Sequence, residues 1–459
     1  MLIELPKVAA TLVFFLTWIL ILPQKWKYVP LGRSISALFG ASLLMSFQII
    51  SIPEAFSFVF DGMQVLALLF GLMILSNYCD KEGFFDIVER SLTKCCHTGS
   101  QLILRIIIIS GVLSALLTND AVCIFITASI VRISKKYGLN TTTLLIALGT
   151  SSNIGSAATL SGNPQNAYIG VQSGISYLQF VSKLGIVSLI GLLANYGCIW
   201  IYDPKTMRQR LTTKNDKGEI QQDTEGVKVG SIEDDNVSLL ASKFRQEDMS
   251  RGSASLKSTM KVLVALMILG VLVLFLLGFN LAMVSLGGAL WVILLEAVLL
   301  RYEPKPIIEA VDYQLLIFFS GLFIVVGAMT STGYPQALWN SIFDSVDVYS
   351  IKGIILFSVI VLVASNMISN VPAVILATPL LLAMSNAKLA WMLLAWVSTI
   401  AGNLTVIGSA AMIIVAERAA MADKNYTLSS LKYMVYGVPS TLIIISLGVP
   451  VLYGLDQIY

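Results

Sequence analysis

Leu116-Leu117-Thr118-Asn119-Asp120 interrupts an otherwise apolar stretch, Leu102–Ile133, near its middle. A second apolar stretch, Ile351–Met384, is interrupted in the same way by Ser369-Asn370-Val371-Pro372. Each half of either stretch has only about 13–18 residues, which is short for a membrane span of roughly 20 residues. Polar, non-helical backbone at membrane depth is tolerated only inside protein or beside a cavity. We therefore interpret both stretches as re-entrant helical hairpins.

Composition places the rest of the chain in a lipid bilayer as well. Of the 459 residues, 56% are hydrophobic and 12% are charged, whereas about a quarter are charged in soluble domains. The net charge of +3 gives no support for a nucleic-acid partner. Ten apolar runs are long enough to span, and we expect the first to be retained. They are Val8–Leu22, Ser34–Ile50, Met63–Tyr78, Thr143–Val171, Phe180–Tyr202, Met260–Gly278, Leu281–Leu300, Gln314–Thr330, Leu389–Ala416 and Met434–Tyr453.

The membrane region contains an internal repeat. Gln64–Leu72 matches Gln314–Leu322 at an offset of 250 (314 − 64), and the hairpin asparagines Asn119 and Asn370 lie 251 apart (370 − 119). Each half has three spans, a hairpin, a broken span and a plain span, so it crosses the membrane five times. Because five is odd, the second copy must be inverted. The sequence predicts an all-α polytopic membrane protein of two inverted repeats. The units are residues 1–202, with a hairpin at 101–134, and residues 259–459, with a hairpin at 351–385.

Residues 203–258 are rich in charged and small polar residues, and we predict a disordered linker there. With alternating spans, 26 of the 30 Lys and Arg residues fall on the linker's side and 4 on the other. Excess positive charge marks the cytoplasmic face. We therefore expect a cytoplasmic linker and both termini outside, in a plasma membrane or bacterial inner membrane. The first hairpin then enters from the cytoplasm and the second from outside.

Each half has two interruptions, one in the hairpin and one in the broken span. A broken helix leaves unsatisfied N–H groups at one new end and carbonyls at the other. One break alone is most simply a kink or a packing contact. Four breaks paired by a repeat favour a single buried site at mid-depth, which is typical of transporters. The candidate substrate- or ion-binding residues are Thr118, Asn119, Asp120, Asn153, Asn163, Asn166, Ser369, Asn370, Asn403, Thr405 and Ser409.

Asp120 is the candidate for coupling transport to an ion. A charged side chain at mid-membrane costs about 2.5–3.5 kcal/mol on insertion scales and is a functional hypothesis by default. The simpler interpretation is a helix N-cap, but Thr118 and Asn119 can cap without a charge. Burial would favour the neutral acid and a proton carrier, whereas a bound sodium ion would keep the acid ionised. The sequence therefore allows either a proton or a sodium ion as the coupling ion.

The other ionisable residues carry weaker signals. Glu296 is expected to pair with Arg301, and Glu417 with Arg418 at the surface. No Ser-His-Asp set, phosphate loop or metal-ligand spacing is recognisable, so we predict no catalytic residue, cofactor or metal site. Cys95-Cys96-His97 has no further ligand nearby in the sequence.

These motifs resemble the ion-transporter superfamily. It includes ArsB-type arsenite permeases, NhaD-type sodium/proton antiporters, the melanosomal P protein and the citrate and dicarboxylate carriers. Within it, the motifs look most like plant-type silicon efflux transporters and related bacterial anion permeases. The resemblance covers Asp61 to Glu417, apart from the linker. It is carried by Leu116–Asp120, Ala147–Asn166, Ser369–Pro372, Ala401–Thr405 and Gly408–Ala411.

The resemblance implies an elevator-like carrier, often a homodimer, with its substrate between the hairpin tips and the broken helices. In efflux members, proton entry drives export. One departure is Met412, the repeat counterpart of Asn166, where the family usually carries Asn. An uncharged site without an arginine suits a small neutral hydroxylated solute better than citrate, because it has no fixed cation to pair with a carboxylate.

The sequence thus predicts a secondary active transporter, a proton-coupled exporter of silicic acid or arsenite with Asp120 as proton carrier. The alternatives within carriers are a sodium- or proton-coupled carrier of citrate, dicarboxylate or sulfate, and a Na⁺/H⁺ antiporter. A passive channel would show flux without an ion gradient. A receptor or scaffold would leave the four intramembrane breaks unexplained.

Overall fold

The computed structural model describes residues 5–21, 32–94, 96–211, 213–214, 220–221, 254–301, 303–343, 349–384 and 387–458. Within these residues the structure is helical, apart from two paired antiparallel strands of two residues, β1 (Thr213–Lys214) and β2 (Ile220–Gln221). The predicted all-α class is confirmed. The part of the linker between 222 and 253 lies outside the described residues.

The first half of the chain forms ten helices before the linker region and an eleventh at its start. They are α1 (Leu5–Ile21), α2 (Arg33–Ser46), α3 (Ile52–Asp61), α4 (Met63–Lys81), α5 (Phe84–Thr93), α6 (Gly99–Leu116), α7 (Asn119–Tyr137), α8 (Thr141–Ser156), α9 (Pro164–Ser173), α10 (Tyr177–Tyr202) and α11 (Pro204–Arg208).

The second half forms ten α-helices in the described residues. They are α12 (Ala254–Leu276), α13 (Leu281–Leu299), α14 (Lys305–Glu309), α15 (Tyr313–Ser331), α16 (Tyr334–Phe343), α17 (Ile351–Ile368), α18 (Asn370–Leu382), α19 (Lys388–Ala401), α20 (Ala410–Ala422) and α21 (Ser430–Ile458). A single 3₁₀ turn, Val406–Gly408, lies between α19 and α20.

Eight of the described helices are long and apolar enough to cross a membrane, namely α4, α6, α10, α12, α13, α15, α17 and α21. The apolar helices α1, α18 and α19 are shorter. Of the eight, α6 and α17 are the first arms of the two predicted hairpins. The chain is a multi-pass integral membrane protein, as its composition predicted.

Helix ends are set by local capping chemistry. Ser51 and Glu54 form a capping box at the start of α3, each side chain accepting from the other's backbone N–H. The side chain of Asn140 accepts from Thr142 N at the start of α8. Gly138 ends α7 with φ of 61°, a left-handed conformation that glycine adopts without strain. The short connection between α7 and α8 follows from these two residues.

The helices pack in two groups. The first group contains α1–α4 and α12–α15, where α2 packs against α15 and α4 against α13. The second group contains α6–α11 and α17–α21, where α7 packs against α20, α9 against α18 and α10 against α21. The groups meet where α9 contacts α4 and α18 contacts α15. The first group is held mainly by contacts between the halves, whereas the second also has extensive packing within a half, above all of α6 against α8.

A buried ion pair joins α4 and α13 inside the first group. Lys81 pairs with Glu296, and both side chains are at most 2% exposed. Tyr78 OH donates to Glu296 Oε2 at 2.7 Å. The expectation that Glu296 pairs with Arg301 is therefore wrong, since its two carboxylate oxygens bond residues of α4 instead. Arg301 lies two residues beyond the end of α13, with φ of 50°.

Residues 203–211, which the sequence analysis assigned to the linker, form an ordered segment that we call the strap. Asp203 Oδ2 accepts from Asn140 Nδ2 at 3.0 Å, from Thr143 Oγ1 at 2.6 Å and from Thr206 Oγ1 at 2.7 Å. Burial alone would raise the pKa of the Asp203 carboxyl, but these bonds outweigh burial and lower it. Asp203 thereby ties the start of the strap to the base of α8.

The far end of the strap lies against the base of α6. Gly99 N donates to Gln209 O at 2.8 Å, and Leu211 N donates to His97 O at 3.0 Å. A Cβ on Gly99 would lie 2.0 Å from Thr206 O, so only glycine permits this approach. Met207 and Leu211 are buried, and composition alone did not reveal that two apolar residues anchor this segment. The predicted linker therefore begins with ordered structure.

Candidate functional site

Each predicted hairpin is interrupted where the sequence analysis placed its break. In the first, α6 ends at Leu116 and α7 starts at Asn119. Thr118 Oγ1 accepts from Ala121 N at 3.3 Å and so caps α7. In the second hairpin a single residue, Ser369, separates α17 from α18. Its φ of 72° and ψ of 156° lie in a backbone region that residues other than glycine rarely adopt.

The two broken spans are interrupted by irregular turns. Residues 157–163 separate α8 from α9, where Asn163 Oδ1 accepts from Asn166 N at 2.8 Å. Residues 402–409 separate α19 from α20, where Ser409 Oγ accepts from Met412 N at 3.2 Å. Asn163 and Ser409 are thus equivalent N-caps of the second helix in each span.

A chain of asparagine contacts joins three of the four breaks. Asn119 Nδ2 donates to Asn153 Oδ1 at 2.9 Å. Asn153 Nδ2 donates in turn to Asn403 Oδ1 at 2.7 Å and to Ser409 Oγ at 2.9 Å. All four side chains are at most 5% exposed. The tip of the first hairpin and the breaks of both spans therefore converge at one buried point.

The tip of the second hairpin reaches the same region through Asn370. A Cβ built on Gly402 would lie 3.0 Å from Asn370 Nδ2 and 2.8 Å from Ser409 Cβ. Asn370 is buried, and its Oδ1 accepts no hydrogen bond within the described part of the chain. A bound solute can supply that missing donor.

Asn163 and Asn166 mainly hold the first break together. Asn163 Nδ2 donates to Ser156 Oγ at 2.9 Å and to Thr399 Oγ1 of the other half at 3.3 Å. Asn166 Nδ2 donates to Thr159 O at 3.0 Å and to Ser156 O at 3.3 Å. The buried Asn166 Oδ1 has no hydrogen bond among the residues described, so it is a second acceptor that is available to a ligand.

Met412 occupies the position where the family resemblance suggested Asn. Its side chain is fully buried, and a Cβ on Gly149 would lie 2.2 Å from Met412 Sδ. The thioether thus packs against α8 and contributes no hydrogen bond where its counterpart, Asn166, closes the first break. The two halves of the site are chemically unequal here.

Thr405 is the predicted residue with the least direct tie to this cluster. It precedes the 3₁₀ turn, caps no backbone N–H with its side chain and is half-buried. A Cβ on Gly408 would lie 3.1 Å from Thr405 Oγ1. Thr118 and Ser369 lie at the hairpin tips, where the first acts as a cap and the second turns the chain.

Asp120 does not act as the N-cap of its helix, since Thr118 and Asn119 bond the first N–H groups. Asn119 Oδ1 accepts from Asp120 N at 3.0 Å. Asp120 Oδ1 is buried and accepts no hydrogen bond within the described ranges. The carboxylate interacts electrostatically with Arg33, on α2, and with Asp312, which caps α15. It therefore faces charged groups of the first helix group.

In the sequence, Arg33 counts only toward the positive charge of the cytoplasmic face. It is the first residue of α2, and it interacts with Glu417 as well as with Asp120. Glu417 thus interacts with Arg33 of the other helix group, in addition to its expected partner Arg418. The only sequence signal for Arg33 was its place directly before an apolar run, which most flanking arginines share.

The neutral contacts of the cluster include other residues that the sequence analysis missed. Thr399 and Gln165 bond each other across the halves, with Gln165 Nε2 donating to Thr399 Oγ1 at 3.3 Å. Within the described residues no group of three His, Cys, Asp or Glu side chains is placed to hold a metal ion. Cys95, part of the weak metal candidate, lies outside the described residues, and Cys96 Sγ donates to Leu92 O.

Comparisons with known proteins agree with this architecture. The chain is 32% identical over 487 aligned residues to the silicon efflux transporter LSI3 of Oryza sativa subsp. japonica, covering 98% of each chain. It is 29% identical to the transporter arsB of Dictyostelium discoideum, covering 96% of this chain and 91% of that one. The solved YdaH transporter of Alcanivorax borkumensis shares the fold, with a TM-score of 0.55 at 13% identity over 99% of this chain and 98% of that one.

The family model described as a citrate transporter, CitMHS, matches residues 15–401. This match includes both hairpin tips and the first broken span, and it ends where α19 ends. The resemblance read from the motifs is confirmed. The chain belongs to the citrate transporter family of membrane carriers.

Proposed function

We propose that this transporter exports a small, neutral, hydroxylated metalloid, silicic acid or arsenite, in exchange for protons. The observation that carries the proposal is the neutral set Asn119, Asn153, Asn403 and Ser409, which joins three of the four helix breaks without a cation among its members. Amides and hydroxyls present donors and acceptors together. Hydroxyl groups of the solute can accept hydrogen bonds from these donors and donate hydrogen bonds to these acceptors.

Unpaired acceptors strengthen the choice of solute. Asn166 Oδ1 and Asn370 Oδ1 are buried acceptors that receive no hydrogen bond from described residues. A neutral acid of the type M(OH)ₙ supplies O–H donors, whereas a carboxylate supplies only acceptors. The names of two relatives, a silicon efflux transporter and arsB, point to the same solute class.

The proton is assigned to Asp120. Asp120 directly follows Asn119, and its backbone N–H donates to Asn119 Oδ1 at 3.0 Å, so this acid is part of the first hairpin tip. Loss of the charge weakens its attraction to Arg33 of the other helix group. Protonation can therefore change how the two helix groups hold together, which is what coupling between a proton and a moving carrier requires.

A second candidate is a sodium- or proton-coupled carrier of citrate-like anions. The observation in its favour is Arg33, a fixed cation within electrostatic reach of Asp120. If a substrate carboxylate replaced Asp120 as the partner of Arg33, neutralising Arg33 would abolish anion transport. A Na⁺/H⁺ antiporter would instead move sodium without any organic or metalloid solute.

The two halves are proposed to be inverted copies. The supporting observation is the exchange of contacts, in which α7 packs against α20 while their counterparts α18 and α9 pack together. A two-fold axis produces this pattern, and five crossings per half orient that axis in the membrane plane. Both termini outside and the linker inside follow from the distribution of Lys and Arg.

The test is transport into proteoliposomes with arsenite, silicic acid, citrate and sodium under imposed pH gradients. The wild-type protein should move arsenite or silicic acid in the direction opposite to the flow of protons down the imposed gradient. Asp120→Asn should lose its response to the gradient, while the matched surface variant Glu309→Gln should keep it, because Glu309 is exposed and only weakly paired with Lys305 at 3.9 Å. Equal pH response in Asp120→Asn would refute proton coupling through this residue.

A further inference from the structure

A set of buried hydrogen bonds lies behind the asparagine chain, on the side of α10 and α21. Asn195, on α10, donates from Nδ2 to Thr150 Oγ1 at 3.0 Å and to Ser151 Oγ at 2.9 Å. Tyr436 OH donates to Asn195 Oδ1 at 2.5 Å. Both amide hydrogens and the carbonyl oxygen of this side chain are therefore used.

The set continues through Asn403, and the turn of α21 between Tyr433 and Tyr436 closes it. Tyr433 OH donates to Asn403 O at 2.8 Å, and Asn403 Nδ2 donates to Thr150 O at 3.3 Å. Tyr433 and Tyr436 lie three residues apart on one face of α21, so both reach inward together. We call the closed set Asn403, Thr150, Asn195, Tyr436 and Tyr433 the polar ring.

The polar ring is sealed from solvent, since each of its five side chains is at most 2% exposed. Burying polar groups has a desolvation cost that well-packed apolar residues would avoid. A buried network in which every member is satisfied instead fixes one arrangement of its parts. Gly437 allows the close fit, because a Cβ there would lie 2.7 Å from Asn403 O and 2.6 Å from Leu404 O.

The polar ring holds both sides of the contact between the halves. Asn403 is a ring member, and its Oδ1 accepts from Asn153 at 2.7 Å. Thr150 is also a ring member and lies three residues before Asn153 on α8. Asn195 and Tyr436 bond ring atoms, and their other side-chain partners are Ser151 and Ser440. They act on the site through their neighbours.

We propose that Asn195 and Tyr436 are positioning residues that set the separation of Asn153 and Asn403, and thereby select the size of solute that the site accepts. This inference rests on the proposed function for its solutes. Silicic acid and arsenite differ in the number of hydroxyl groups around the central atom, so a change of spacing affects their binding unequally.

The functional test compares Tyr436→Phe with Tyr426→Phe. Tyr426 is a matched control, because its OH bonds Thr142 Oγ1 at 2.9 Å and so also joins the halves, but at the first turn of α8. Removing the donor to a buried acceptor should raise the KM for arsenite and silicic acid by about tenfold. The maximal rate should be retained, and the ratio of the two KM values should change. Tyr426→Phe should alter neither.

A second measurement does not depend on the solute. Hydrogen–deuterium exchange at residues 402–409 should be faster in Tyr436→Phe and unchanged in Tyr426→Phe. Asn195→Ala combined with Tyr436→Phe should be no worse than the more severe single variant, since both break one ring. If Tyr436→Phe does not fold, Tyr433→Phe removes the other tyrosine and is measured in the same way.

The outcomes distinguish failure of the positioning role of the polar ring from failure of the proposed transport function. Unchanged KM ratio and unchanged exchange at residues 402–409, with only a lower melting temperature, would show that the ring is merely structural. If wild type transports neither solute, the proposed function fails. The exchange measurement then still decides whether the ring positions Asn403.

Discussion

Asn153 donates a hydrogen bond to Asn403 across 250 positions of sequence, at 2.7 Å between Nδ2 and Oδ1. Asn153 lies in the last turn of α8, just before the first half's break, and Asn403 lies within the second half's break; both are buried. Asn153 also accepts from Asn119 at 2.9 Å and donates to Ser409 at 2.9 Å. One side chain thus organises three breaks, and its removal should be more damaging than removal of any neighbour.

Asn153→Ala should lower the transport efficiency by about 10–100-fold. It leaves Asn119 Nδ2 and Asn403 Oδ1 buried without their partner, and each orphaned group costs about 1–3 kcal/mol. The measurement is kcat/KM in proteoliposomes. Asn340→Ala is the control, since Asn340 is an exposed asparagine on α16. Asn153→Ala with Asn403→Ala should lose less than the sum of the two single effects, and additive losses would argue against a shared site.

Lys81→Met should destabilise the first helix group by about 3–5 kcal/mol, because it leaves the buried Glu296 without its counter-charge. Adding Glu296→Leu should recover much of this loss, since an apolar pair replaces the ion pair. Lys305→Met, which breaks an exposed pair, should cost about 0–1 kcal/mol. Thermal unfolding in detergent measures all three. Full stability of Lys81→Met would show that the pair contributes nothing.

Asp203 should make the strap sensitive to acid. Hydrogen bonds lower the pKa of its carboxyl in the folded protein, despite the opposing effect of burial. A depressed folded pKa contributes stability above the unfolded value of about 3.9 and loses it as the pH falls through the folded value. Asp203→Asn should remove this contribution at neutral pH. Hydrogen exchange at residues 203–211 should then be faster at pH 7, and its difference from wild type should shrink near pH 3.

Ser369→Gly should stabilise the second hairpin by about 1 kcal/mol, because Ser369 has a φ of 72° that favours glycine. Ser369→Ala is the matched control and should give no such gain, since it keeps a Cβ. The melting temperature of the purified protein distinguishes them. If glycine and alanine behave alike, the backbone at this tip is not strained.

Much of the fold was predictable, because lipid imposes simple rules on sequence. Apolar runs, polar breaks and the repeat predicted the helices, and α6, α7, α17 and α18 have the interrupted form expected of the two hairpins. The strap was missed because its sequence is polar. Its order comes from Gly99, Met207 and four bonds to Asp203, which are tertiary contacts that no local pattern encodes.

The site was predictable in composition but not in its connections. The sequence predicts helix breakers and hydrogen-bond donors at Asn119, Asn153, Asn403 and Ser409. Their mutual bonds, however, depend on packing between the halves. Arg33 and Tyr436 carried no comparable signal, since one resembles any flanking arginine and the other any tyrosine of an apolar helix. Their importance comes only from the residues that they face in three dimensions.

The exchange of contacts between halves has a consequence for how the polypeptide can be assembled. Since α7 packs against α20 and α9 packs against α18, each half covers part of the other half's polar region, and a lone half would expose that part to lipid. Two separately translated fragments, cut within residues 222–253, should therefore be degraded when expressed singly and should combine into a working carrier when co-expressed. The covalent connection between the halves would then not be required for transport, and the functional unit would be the two assembled halves.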